Sequence, residues 1–186
     1  MMQGWTWVVG LFIGAAIGSF LNVVIYRMPR GISLSDPPRS FCPKCKHELG
    51  TLDLFPLLSW LLLGGKCRYC KSPVPSRYFF VELITGSIWG GIWYEYLIAR
   101  SEPAAALAYA AAASALVAVI FIDIEFYIIP DQVNAFLLVV GLLYNGWLYY
   151  AHDPRAITWG MPSSVAGGLV GVLALWLIAF LGRVAF

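Results

Sequence analysis

The chain has 186 residues, of which 60% are hydrophobic and only 12% charged, and its mean hydropathy is +0.76. Soluble domains carry about a quarter charged residues, so this composition excludes an ordinary soluble fold and points to lipid as the main solvent. The formal net charge of +2 is too small to mark nucleic acid as a partner.

A membrane-crossing helix needs about 20 apolar residues. Charge-free or nearly charge-free runs predict five such segments: Trp7–Tyr26, Tyr78–Ile98, Pro103–Ile122, Gln132–Tyr150 and Pro162–Gly182. The expected fold class is therefore an all-α polytopic membrane protein with a small loop module between the first two segments. The second segment is interrupted by Glu82 and Glu95. Segment one has no basic residue before it and no small-residue cleavage pattern after it, so it reads as a retained anchor.

Nine of the twelve Lys and Arg residues lie between Arg27 and Arg77. By the positive-inside rule that loop is cytoplasmic and the N-terminus outside, which also places the Asp123–Asp131 link and Arg183 inside. Three parts follow: an anchor over 1–26, a cytoplasmic module over 27–77 and a helical region over 78–186. Within segment one, Gly10, Gly14 and Gly18 recur every four residues and clear a helix face for close approach of another backbone. Ser19 and Asn22 extend that face and are expected to bond to a neighbouring helix.

The loop holds Cys42-Pro-Lys-Cys45 and Cys67-Arg-Tyr-Cys70. Two such pairs suit a tetrahedral four-thiolate zinc site, in which all positions are taken by protein and the metal is structural. Lys44, Lys46, Lys66 and Arg68 offset the negative charge of that centre. The competing reading is thiol redox chemistry, which the reducing cytoplasm disfavours. His47 reads as a loop residue unless one cysteine is spared.

The Asp123–Asp131 link carries Asp123, Glu125 and Asp131 without a basic residue. Asp123 lies between Ile122 and Ile124 where the apolar run stops, which predicts a buried acid, and ionisable groups at such depth are functional candidates. Aspartic proteolysis uses two nearby carboxyl groups, one ionised to activate water and one protonated to polarise the carbonyl. Asp131 is open to two readings, as the second acid or as the N-cap of segment four. Glu125 reads as a solvated loop residue, and Glu82 as a weaker functional candidate whose structural alternative is a pair with Arg77.

Several blocks, in order and spacing, resemble the bacterial prepilin peptidases, a family of membrane aspartic proteases. They are Gly18-Ser-Phe-Leu-Asn-Val-Val-Ile-Tyr-Arg-Met-Pro29, the two cysteine pairs, Pro56-Leu-Leu-Ser-Trp-Leu61, Arg77-Tyr78 with Val81-Glu82, and Ile122-Asp123 followed by Ile129-Pro130-Asp131. The resemblance implies leader removal from type IV prepilins or pseudopilins at the bacterial inner membrane, followed by N-methylation of the new N-terminus. It also implies that Asp123 is catalytic, that the four cysteines hold Zn2+, and that S-adenosylmethionine is the methyl donor, to which no residue is assigned. The family's second aspartate belongs to a Gly-x-Gly-Asp motif after the helix matching segment five. The sequence ends at Phe186 before such a motif, so the expectation is half of the catalytic dyad. A non-catalytic docking protein of a pilus or secretion machine is the alternative.

Overall fold

The structure, a computed structural model, describes residues 5–185 and divides them between two compact units, Met1–Leu137 and Leu138–Phe186. Arg183, the predicted inner end of segment five, lies outside the residues whose side chains are described. In the first unit, α1 runs Trp7–Arg27, α2 is the short Leu58–Leu62, α3 runs Arg77–Ile92 and continues through wider π-helical turns over Trp93–Ala99, and α4 runs Pro103–Phe126. A fifth helix, α5 (Asp131–Tyr150), begins in the first unit and ends in the second.

Helices stand at all five predicted places. Trp7–Arg30, Pro103–Phe126 and Asp131–Tyr150 are long and apolar enough to cross a membrane. The α3 span is shorter at 16 residues and gains 7 from its π-helical continuation, while the described apolar run of the last helix covers Ser163–Ile178.

The stripe on α1 does what its spacing predicts. A Cβ on Gly14 would lie 2.4 Å from Trp89 Cβ, and one on Gly18 would lie 2.7 Å from the Glu82 Cα, so α3 packs backbone to backbone on this face. The Asn22 amide donates to the Tyr78 carbonyl at 3.1 Å and adds a polar tie. α4 closes the core, with Leu21 and Ile25 of α1, Val81 of α3 and Val117, Ala118 and Ile122 of α4 in one cluster. Trp89 Nε1 donates to Ser114 Oγ at 2.9 Å, which gives the indole a partner in an otherwise apolar contact.

The second unit contains the end of α5, a hairpin of β1 (Ile157–Thr158) against β2 (Met161–Pro162), and α6 (Ser163–Ala185). Trp159 and Gly160 both have positive φ, the backbone that a two-residue hairpin turn needs. Along α5 and α6, Leu142, Leu143, Leu173, Leu175 and Trp176 are exposed, the pattern of helices solvated by lipid rather than water.

Candidate functional site

The two cysteine pairs build the same turn twice. In the first, Cys42 N–H donates to the His47 carbonyl at 3.0 Å and Lys46 N–H to the Cys42 carbonyl at 2.9 Å. In the second, Cys67 N–H donates to the Ser72 carbonyl at 2.8 Å and Lys71 N–H to the Cys67 carbonyl at 3.0 Å. Each turn forces the residue after its second cysteine into the left-handed region, with φ of 61° at Lys46 and 57° at Lys71. Antiparallel bridges Phe41 to Glu48 and Lys66 to Pro73 close the two knuckles.

The four sulfurs of Cys42, Cys45, Cys67 and Cys70 lie within 4.8 Å of one another, and Cys42 Sγ is 3.8 Å from Cys70 Sγ. A tetrahedron of thiolates around zinc has edges of about 3.8 Å, given Zn–S bonds of about 2.3 Å. The donor set therefore fits zinc, with Cys42 and Cys67 buried and Cys45 and Cys70 exposed.

Local hydrogen bonds tune the thiols. Burial opposes ionisation of Cys42, but the backbone N–H groups of Cys45 and Lys44 outweigh it and hold the thiol down to about 6. The His47 backbone draws Cys45 down, yet desolvation and the neighbouring thiols of Cys70 and Cys42 push it up to about 11. Ser72, which sequence reasoning passed over, places its hydroxyl 3.0 Å from Cys70 Sγ and 3.8 Å from Cys42 Sγ.

His47 stands outside the sulfur cluster and packs in a tilted contact on Tyr69 with ring centroids 3.6 Å apart, linking one knuckle to the other. Asp53 was also missed. Its carboxylate accepts from Arg68 Nε at 2.5 Å, Tyr69 Oη at 2.9 Å and Gly50 N–H at 3.1 Å. Of the basic residues expected to offset the thiolates, Arg68 is thus turned to Asp53, and Lys46 Nζ lies 5.4 Å from the Phe41 ring centroid.

The module is tied to the helices at two places. Arg27, buried at the end of α1, donates through Nη1 to the carbonyls of Ser33, Leu34 and Pro37 and through Nη2 to that of Arg39. At Leu57 the chain makes a tight three-residue turn with φ 63° and ψ −51°, in which Leu58 N–H donates to the Pro56 carbonyl at 2.6 Å. This backbone is strained for a non-glycine residue, and the Leu57 N–H is held by Glu82 Oε2 at 2.7 Å. Glu82 is thus a clamp on the module and not the partner of Arg77. A cavity of about 520 Å³ lies among α1, α3 and the module, bordered by Ser19, Asn22, Trp60, Tyr78 and Glu82 among others.

The carboxylates of the acidic segment depart from expectation. α4 continues to Phe126, so Asp123 and Glu125 are helical and the link is reduced to 127–130. Asp123 is exposed, whereas Ile122 beside it is fully buried, because adjacent helical residues face different sides. Glu125 is not a solvated loop residue, since both its oxygens meet Arg77 Nη1, at 2.5 and 2.6 Å. Asp131 is the first residue of α5, and the Pro130 carbonyl receives the N–H groups of Val133 and Asn134. Pro130 therefore occupies the capping place, and exposed Asp131 adds negative charge to the positive end of the helix.

Helices of membrane-crossing length, joined to a double-knuckle module whose four cysteines could hold a metal ion, define a polytopic membrane protein. A profile of the Bacterial Peptidase A24 N-terminal domain matches residues 12–96, which takes in most of α1, the knuckles and α3. The prepilin leader peptidase/N-methyltransferase of Klebsiella pneumoniae is 35% identical over 91% of this chain and 72% of its own length. Proteins of the same description from Burkholderia pseudomallei and Aeromonas hydrophila are 32% and 34% identical, over 92% and 86% of this chain. The chain belongs to the prepilin leader peptidase/N-methyltransferase family. It spans 59% of the length of the Burkholderia and Aeromonas relatives. No solved structure matches.

Proposed function

We propose that this chain serves a membrane aspartic endopeptidase of the bacterial inner membrane that removes the leader from type IV prepilins and related pseudopilins and then N-methylates the new N-terminus. The observation that carries this reading is the match to the Klebsiella relative, which places 91% of this chain on a protein described as a leader peptidase and N-methyltransferase. S-adenosylmethionine supplies the methyl group. The basic loop over 27–77 faces the cytoplasm with the N-terminus outside, and zinc holds the knuckles in place.

Asp123 and Asp131 carry the protease chemistry contributed by this chain. Both are exposed, one in the last turn of α4 and one at the first residue of α5, and only 127–130 separates the helices. Such carboxyls are open to water and to a peptide at the membrane surface, where one ionised and one protonated acid divide the work of activating water and polarising the scissile carbonyl. A pilin leader with basic residues also suits an acidic helix end.

The test is Asp123→Asn in the full-length protein, scored for leader removal, for methylation of a pilin whose leader is already absent, and for zinc content. Leader removal should disappear while the other two persist. Cleavage that survives Asp123→Asn removes Asp123 from the mechanism, and loss of zinc would show that the substitution acted through folding.

A further inference from the structure

The cavity among α1, α3 and the module has hydrogen-bonding groups that the proteolytic chemistry leaves unused. Glu82 is buried at 7% exposure and receives the Leu57 N–H, with the Ser19 hydroxyl as a second donor. No salt bridge reaches it among the described residues. Arg77, five positions earlier, is committed to Glu125.

The guanidinium groups that also border the cavity are engaged elsewhere: Arg27 by four backbone carbonyls, Arg39 by Glu48 and Arg68 by Asp53. Lys66 borders it too, with no salt bridge to Glu82 among the described residues.

Asn22 supplies a second, independent observation. It is 2% exposed, and its Nδ2 donates to the Tyr78 carbonyl, which fixes the amide orientation because a carbonyl only accepts. Its Oδ1 is then a buried acceptor without a partner. Buried polar atoms are rarely left so, and those that are call for a missing ligand or water. Asn22 and Ser19 are three residues apart on one face of α1, opposite Glu82 on α3.

An unneutralised carboxylate, an unpaired amide oxygen and a hydroxyl bordering one cavity form an acceptor-rich set. A primary ammonium offers three donors and no acceptor, and is the complement of that set. The remaining border is largely apolar, with Phe20, Val23 and Trp60 on it.

We infer that this cavity binds a primary ammonium group, with Glu82 as the counter-charge and Asn22 and Ser19 positioning the donors. The inference rests on the N-methyltransferase reading for its two sources of such a group: the amine freed by leader removal, and the amino-acid arm of the methyl donor.

The experiment measures calorimetric binding to the purified full-length protein in lipid nanodiscs. One pair of probes is the peptide Leu-Leu-Ile amide with a free or an acetylated N-terminus; the other is S-adenosylhomocysteine against 5′-methylthioadenosine, which lacks the amino-acid arm. In at least one pair the amine-bearing probe should bind more tightly by about tenfold, the worth of one charge-assisted hydrogen bond. The pair that shows the preference identifies the source. Glu82→Gln should erase it, since glutamine still accepts from Leu57 but carries no charge, and unchanged zinc content verifies the fold. Equal binding within both pairs on the unsubstituted protein overturns the inference without any variant, and so does a preference that survives Glu82→Gln. Amine binding without methyl transfer would remove the N-methyltransferase reading and leave the ammonium site standing, whereas methyl transfer without amine preference would do the reverse.

Discussion

Arg77, the first residue of α3, and Glu125, in the last turn of α4, meet through a single guanidinium nitrogen 2.5 and 2.6 Å from the two carboxylate oxygens. The pair pins to α3 the same helical turn that carries Asp123, and the Arg77 guanidinium also lies 4.9 Å from the Tyr78 ring centroid. Its side chains are 13% and 32% exposed, so screening is weaker than for a fully solvated pair. A double-mutant cycle with Arg77→Ala and Glu125→Gln should give a coupling of about 1 kcal/mol in thermal unfolding. Additive effects of the two substitutions would show that the pair contributes no coupling.

The acid limb of module stability should depend on Asp53. Burial alone would raise its pKa, but the Arg68 guanidinium, the Gly50 N–H and the Tyr69 hydroxyl outweigh burial and hold the carboxyl below the usual aspartate value. A carboxyl depressed in the folded state contributes stability that is complete above its unfolded pKa and is lost as pH falls through the folded one. Unfolding scans between neutral pH and the carboxylate range should show this loss in the unsubstituted protein. Asp53→Asn should be less stable at neutral pH and lose less on acidification. Parallel pH curves for the two proteins would exclude this role.

Zinc removal should unravel the knuckles and spare the helices. The helical core of Leu21, Ile25, Val81, Val117, Ala118 and Ile122 contains no residue of the module. About one zinc per chain is expected from a closed four-thiolate site. Chelation should therefore lower protection of residues 41–74 in hydrogen exchange while the circular dichroism of the helices changes little. Protein with reduced thiols and no metal by elemental analysis would reject the zinc assignment.

What was legible in the sequence follows the range of the interaction that decides each feature. α1 was placed as Trp7–Tyr26 and runs Trp7–Arg27, because a charge-free apolar run in lipid has no alternative to a helix. The four-sulfur cluster followed from the two cysteine pairs, whose knuckles are local turns. Glu125 was misplaced in a loop because the apolar run stops at Ile122, while the helix continues to where Arg77, 48 residues away in sequence, receives it. The expected Arg77 to Glu82 pair failed for a local reason: five helical residues turn the chain by about 140° past a full circle, so the two do not share a face. Asp53 and the strained Leu57 turn had no sequence signal, since their partners Arg68 and Glu82 are set by the tertiary fold.

The close approach of α1 to α3 gives the sharpest test of the packing. A methyl group on Gly14 would stand 2.4 Å from Trp89 Cβ and 2.8 Å from the Thr85 carbonyl oxygen. Neither atom is the free end of a flexible side chain, so no rotamer change relieves the collision and the helices must separate. Gly14→Ala should therefore destabilise by about 1–3 kcal/mol, the usual range for overpacking, although alanine is the better helix former. Gly167 in α6 is the internal control, because nothing lies within 4 Å of the Cβ it would gain. There alanine should be neutral or stabilising by up to about 1 kcal/mol. Separating α1 from α3 also moves Asn22 away from Tyr78 and Ser19 away from Glu82, so Gly14→Ala should weaken amine binding in the cavity while Gly167→Ala leaves it unchanged. Thermal unfolding in detergent and the peptide titration, run on both variants, read the two effects separately. A Gly14→Ala protein as stable as its parent would mean that the two backbones do not approach as closely as the glycine stripe requires.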